Sequence, residues 1–294
     1  MTQNTNLRGA ALMVLAMLGF AIEDAFIKAL TDAPAGALPI GQVIAMLGLG
    51  GAALIAVILR VQGARLWHAG LTHWSIWLRN GGEMIGTLGF VTAIALIPLS
   101  TASAILQATP LVVTMGAALF LGEAVGWRRW AAVLVGFAGV MLIVRPGMDG
   151  FNWLSLFALQ GVLGLAIRDL ATRRVPASAT GLQLSLLAFA TLVPAAGLLM
   201  WGAGTPPVMP QGVQWALIAG SVGIGVMCYY CIVLAMRVGE VSFVTPFRYS
   251  RILFALVIAM VFFGERPDTL TLTGCGIVVA SGLYMLWRER VVKA

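Results

Sequence analysis

Eight ionisable side chains stand inside long apolar stretches of the sequence: Glu23, Asp24, Arg79, Glu83, Arg168, Asp169, Arg248 and Arg251. On insertion scales, a charge at the centre of a bilayer-spanning helix costs roughly 2.5–3.5 kcal/mol. Each such group therefore needs a partner, a watery path or a ligand. Four acids against four bases allow complete pairing. Arg248 and Arg251 sit at i, i+3, so one helical face presents two guanidinium forks, a geometry suited to carboxylate or phosphate. Arg79 and Glu83 sit at i, i+4 and can pair with each other; Glu83, the deeper of the two, can also carry an exchangeable proton. The expectation is that Glu83, Arg248 and Arg251 meet across a central cavity, where a substrate carboxylate competes with Glu83 for an arginine. Neighbouring Glu23 and Asp24 point about 100° apart on a helix, so at most one of them faces that cavity, Glu23 as the functional candidate and Asp24 as the structural one. Arg168 and Asp169 read as a structural or gating pair. Gln107, Tyr229, Tyr230, Phe247 and Tyr249 are the polar and aromatic candidates for the pocket wall.

The elements that carry these residues must be membrane helices. Of 294 residues, 60% are apolar and only 10% charged, with a mean hydropathy of +0.97. A soluble domain carries about 25% charge. Ten apolar runs of roughly membrane-crossing length cover residues 9–29, 38–59, 74–96, 99–121, 128–145, 151–172, 179–201, 212–236, 241–263 and 269–288. They are too long, and too continuously apolar, for barrel strands. The first has no small-x-small cleavage site after it and reads as a retained span.

The net charge of +7 fits the same picture without nucleic acid. Eleven Lys and Arg residues fall on the side of the two chain termini and three on the other, with four inside spans. That bias expects cytoplasmic termini in a bacterial-type inner membrane. Cys228, Cys231 and Cys275 lie in apolar runs with no His or acid spaced as a metal ligand, so neither metal, cofactor nor disulfide is expected. His68 and His73, the only histidines, precede the third span, and neither H-E-x-x-H nor G-x-S-x-G occurs. An enzyme is not expected, and no Walker A pattern supports ATP drive. Trp67, Trp74 and Trp77 read as an interfacial belt. Pro110 and Pro246 read as kinks in spans 4 and 9. The pair Gly82 and Gly86, and the cluster Gly220, Gly223 and Gly225, read as places of close helix contact.

The chain repeats. Gly19 to Lys28 matches Gly164 to Arg173 at an offset of 145, and Phe120-Leu121-Gly122-Glu123 matches Phe262-Phe263-Gly264-Glu265 at 142. Asp24 thus corresponds to Asp169, whereas Glu23 has no acidic counterpart. Five spans per half is an odd number, so the second half enters the membrane from the opposite side. The expected division is 1–147 and 148–294, meeting near Gly147 to Gly150.

Arg79-Asn80-Gly81-Gly82, Ala93 to Ala104, Thr109-Pro110-Leu111 and Gly122-Glu123 resemble the EamA module of the drug/metabolite transporter superfamily. The second half resembles it at Tyr229-Tyr230, Ala235 to Ser242, Pro246 and Gly264-Glu265. The resemblance covers nearly the whole chain. It implies an all-α polytopic membrane protein of ten helices in two inverted five-helix repeats, alternating access through a central cavity, and peripheral fifth and tenth helices. Within the superfamily the comparison it suggests is the YddG-type amino-acid exporter. The sequence departs from the family at Arg248 and Arg251, where few cations are usual; this weighs against a purely hydrophobic drug path. The expected function is secondary transport of small organic metabolites, amino acids foremost and outward. The alternatives are uptake of a vitamin or nucleotide-like metabolite, and a channel or lipid scramblase. The partners are the substrate and the lipid bilayer, with the oligomeric state left open.

Overall fold

The computed structural model describes residues 3–32, 36–122, 126–145, 152–238 and 244–293. Its helices are α1 (Gln3–Thr31), α2 (Ile40–Val61), α3 (Trp74–Leu96), α4 (Leu99–Leu106), α5 (Thr109–Phe120), α6 (Trp127–Val144), α7 (Ser155–Thr172), α8 (Gly181–Gly202), α9 (Val213–Val238), α10 (Ser250–Phe262) and α11 (Thr269–Lys293). No strand occurs among the described residues. Six segments are long and apolar enough to cross a bilayer: α1, α2, the α4–α5 pair, α7, α8 and α9. In α3 the first half, with Arg79, Asn80 and Glu83, dilutes an otherwise apolar span. The expected boundary between halves, Gly147 to Gly150, lies outside the described residues, as do Glu123 and residues 239–243.

Local sequence explains where the helices start and stop. Pro39 and Pro98 stand just before α2 and α4, where a missing amide hydrogen costs nothing. Thr180 and Gln183 form a reciprocal capping box at the start of α8. Two spans are interrupted rather than kinked at mid-length. Pro110 opens α5 instead of bending one long helix. The Leu106 carbonyl, which would otherwise accept from residue 110, takes the Thr109 hydroxyl at 2.6 Å. In span 9, residues Thr245–Tyr249 form a 3-10 turn containing Pro246, and α10 begins only after it.

Contacts at the helix ends fix an alternating up-and-down course. On the side of the termini, the Ser75 hydroxyl at the start of α3 donates to the Arg174 carbonyl after α7 (3.1 Å). There, too, Gln183 of α8 donates to the Arg65 carbonyl after α2 (2.7 Å). On the distal side, Gln42 of α2 exchanges two hydrogen bonds with the Val208 backbone ahead of α9 (2.6 and 2.8 Å). Arg145 at the end of α6 reaches Asp268 at the start of α11.

Four helix pairs carry the main packing: α1 on α9, α3 on α7, α2 on α8 and α6 on α11. Each joins one helix from either half. The first two correspond to each other in position under the repeat offsets. Gly164 of α7 faces Gly86 of α3, and Gly19 of α1 faces Cys228 of α9. A Cβ on Gly164 would stand 2.2 Å from the Gly86 nitrogen, so backbones touch and no side chain intervenes. The Gly82 and Gly86 expectation holds, and Gly220 and Gly225 likewise face α1, but Gly223 has open space beside it. Gly139 and Gly274 make the corresponding close contact between α6 and α11. Trp67, Trp74 and Trp77 are exposed, as an interfacial belt requires.

Candidate functional site

The intramembrane charges form two groups. The first lies where α3, α7, α8 and α9 meet in the half of the bundle toward the termini. Arg79 is 2% exposed. It donates to the Leu184 carbonyl (3.2 Å), the Asn80 side chain (3.2 Å) and the Tyr229 hydroxyl (2.7 Å). Glu83 lies 3.9 Å from Arg79 and 3.3 Å from Arg168. Arg168 also pairs with its neighbour Asp169 at 2.8 Å. A hydroxyl, two carboxylates and two guanidiniums thus join three helices, and the Arg79–Leu184 bond adds a fourth.

The second group lies between α1 and α10. Asp24, 3% exposed, accepts a fork from Arg251, with Nη2 at 2.7 and 2.8 Å and Nε at 3.2 Å. The guanidinium is sandwiched by the rings of Phe20 and Phe90, 5.2 and 5.4 Å from their centroids. This is a desolvated, geometrically matched pair.

The expected meeting of Glu83 with Arg248 and Arg251 does not occur. Glu83 sits on the α3 face that packs on α7, so Arg168 takes it; Arg251 sits on the α10 face that packs on α1, so Asp24 takes it. Arg248 remains: among the described residues its guanidinium makes neither an ion pair nor a hydrogen bond, although it lies within electrostatic range of Asp169. The Gln107 amide approaches its carbonyl at 3.4 Å, so Gln107 and Arg248 adjoin at the break between α4 and α5. Glu23 also lacks an ion pair or hydrogen bond among the described residues.

Two aromatic candidates face elsewhere. Tyr230 is 54% exposed and points outward, because Tyr229, its neighbour on the helix, has the inward direction. Tyr249 is buried, with its hydroxyl fitted into the notch at Gly282 of α11, away from the charge groups. Phe247 is exposed at the 36% level in the 3-10 turn. The cysteines are free, and no group of metal-binding side chains is found among the described residues.

Sequence reasoning did not single out Glu265 or Lys28 as functional, yet both close the distal end. The Glu265 carboxylate accepts from the Leu99 and Ser100 amides (2.6 and 3.0 Å) and from the Ser100 hydroxyl (2.6 Å), capping α4. Lys28, 6% exposed, donates to the Ile94 and Ile97 carbonyls at the end of α3 (3.2 and 3.1 Å). The Gly264-Glu265 motif was the available signal: Gly264 has φ +63, which ends α10 and turns the carboxylate back.

A helical bundle with this many apolar, bilayer-length segments and charges paired inside it belongs to the class of polytopic membrane proteins. The EamA-like transporter family matches residues 7–145 and again 152–287; the chain belongs to that family and is a small-metabolite transporter. Among similar proteins, a riboflavin transporter of Rhizobium johnstonii is 28% identical, over 70% of this chain and 67% of its own. An S-adenosylmethionine uptake transporter of Rickettsia felis is 24% identical, over 70% of this chain and 69% of its own. A pseudopaline exporter of Pseudomonas aeruginosa is 28% identical over 96% of each chain. These relatives do not place the chain among amino-acid exporters. A crystal structure with a TM-score of 0.64 and 20% identity, covering 98% of this chain and 99% of that one, shares the fold.

Proposed function

We propose that the protein is a secondary carrier for zwitterionic metabolites of the amino-acid class. It works by alternating access, with 1–147 and 148–294 as its two repeats, in a bacterial inner membrane with both termini cytoplasmic. The observation that carries this reading is Arg248. It is an intramembrane arginine whose guanidinium has no bonded partner among the described residues and whose backbone carbonyl takes the Gln107 amide where α4 and α5 part. A carboxylate supplies what such a group lacks. Glu83, Arg79, Arg168, Asp169 and Tyr229 are bonded to one another, and Arg251 to Asp24, so these groups are already satisfied. Bringing a carboxylate to Arg248 weakens that arginine's pull on Asp169. Binding then favours one arrangement of the α7 wall over another, which is what a ligand needs to shift a conformational equilibrium.

Net export is the proposed direction. The exporter relative supports it by aligning with nearly the full length of both chains. Uptake of a vitamin or nucleotide-like metabolite is the second reading, supported by the two relatives named for riboflavin and S-adenosylmethionine. The test is counterflow in proteoliposomes loaded with unlabelled amino acids or, separately, riboflavin. Expected is saturable entry of labelled amino acid, accelerated by the same compound inside. Arg248→Ala abolishes it and Arg248→Lys does not restore it, because the planar fork is lost. Unaltered counterflow in Arg248→Ala contradicts the site. Counterflow of riboflavin alone contradicts the substrate class. Efflux compared with uptake in oriented cell-membrane vesicles decides direction.

A further inference from the structure

The two halves use corresponding positions for different chemistry. Offsets of 145 and 142 relate Glu23 to Arg168, Gly225 to Glu83 and Ser221 to Arg79. Toward the termini, Arg168 of α7 and Glu83 of α3 form an ion pair, backed by Arg79. At the corresponding α1–α9 contact, Glu23 faces Gly225: a Cβ there would stand 2.6 Å from the Glu23 Oε1. No cation takes the place of Arg168. Asp24 already occupies Arg251 with both carboxylate oxygens. Ser221, which stands where Arg79 would, is fully buried with its hydroxyl unpartnered. It shares the α9 face of Gly225 and Cys228, both in contact with α1.

The elements packed on α1 bring few other ionisable groups. Among those of α9 are Cys228, a thiol near Glu23, Cys231, clustered with Met13 and Met17 of α1, Tyr229, bonded to Arg79, and Tyr230, exposed. On α3 they are Arg79 and Glu83, each with its own partners. On α10 it is Arg251, and in the 3-10 turn Arg248 and Tyr249. Of these, Arg251 and the adjacent Asp24 act on Glu23 through space. The Glu23 carboxyl lies against the α9 backbone at Gly225.

From this asymmetry we propose that Glu23 is the proton-binding residue of the carrier, coupling transport to a pH gradient, with the Ser221 hydroxyl as its hydrogen-bonding neighbour when the helices part. The inference rests on the carrier reading but is tested apart from it. In bilayer-reconstituted protein, infrared difference spectra between acid and alkaline pH should contain a carboxyl band that Glu23→Gln removes and Glu83→Gln does not. That readout needs no substrate. If the band survives in Glu23→Gln, the proposal falls, whatever the protein carries.

In proteoliposomes, counterflow of a labelled amino acid should persist in Glu23→Gln, while accumulation driven by an imposed pH gradient of either polarity disappears. One pH unit, at one proton per substrate, supports about tenfold accumulation in the wild type. Glu23→Asp, which keeps the carboxyl, should retain the drive; should Glu23→Gln melt early, Glu23→Ala, which also removes the carboxyl, takes its place. Gradient-driven accumulation in Glu23→Gln overturns the proposal. So does loss of its counterflow in a stably folded sample, which would make Glu23 a substrate contact. Wild-type counterflow indifferent to pH gradients overturns it as well. If no amino acid is exchanged at all, the carrier reading fails while the infrared band still decides Glu23.

Discussion

Asp24 and Arg251 show how much one side chain can depend on another inside a bilayer. Removing Arg251 strands a carboxylate at 3% exposure, and breaking a buried pair from one side costs about 3–5 kcal/mol. Arg251→Leu should therefore melt markedly earlier than wild type in detergent, and Asp24→Asn/Arg251→Leu should recover most of the loss. Equal melting of all three would mean the pair contributes nothing. Arg248→Ala, with no bonded partner to strand, should melt like wild type while failing in counterflow. All eight intramembrane charges were legible in the sequence, since each interrupts an apolar run. So were the pairs within one helix, Arg79 with Glu83 and Arg168 with Asp169; the partners on other helices were not. Pairing depends on which face of α3, α7 and α10 turns inward, and apolar spans surrounded by lipid and protein carry little periodicity to reveal that. Tyr230 and Tyr249 were misplaced for the same reason.

At the level of helices, the glycines divide into two kinds that sequence alone does not separate. A Cβ on Gly164 would enter the α3 backbone, whereas one on Gly223 meets open space. Gly164→Ala should lower folded yield and thermal stability well below wild type, and Gly223→Ala should be neutral or slightly stabilising from its helix propensity. Matching melting curves for the two would refute the close α3–α7 contact. The Glu265 cap on α4 is a second element-scale test. Losing such a cap costs about 0.5–2 kcal/mol, enough to change how often the distal end opens. Glu265→Ala should raise the labelling rate of a Ser100→Cys reporter by a membrane-impermeant maleimide added from the distal side. An unchanged rate would leave the cap without influence on opening. Ten spans were legible from hydropathy nearly to their ends; the interruptions in spans 4 and 9 were not. Pro110 and Pro246 marked the places, but whether a proline bends a helix or begins a new one depends on what satisfies the freed carbonyl. For Leu106 that is the Thr109 hydroxyl.

For the whole molecule, the peripheral α6–α11 pair is tied at its distal end by Asp268, held by Arg145 and by the Thr271 amide and hydroxyl. Those hydrogen bonds hold the Asp268 carboxyl well below the usual aspartate range. A lowered folded-state value means the contribution is complete at neutral pH and lost as pH falls through that depressed value. Asp268→Asn should therefore cost a little stability at pH 7, little because the carboxylate is 49% exposed. The gap from wild type should close only in strong acid; a gap independent of pH would place the effect elsewhere.

The backbone-to-backbone seams have a mechanical consequence. Helices that touch through glycine, with no side chains to slide or re-rotamerise, have one good way to fit and travel together. Such couples, α3 with α7 and, through Gly139 and Gly274, α6 with α11, take one member from either half. In the carrier proposed above, the rigid units would then be staves that cut across the sequence repeat, leaning apart along lines where side chains, not backbones, meet.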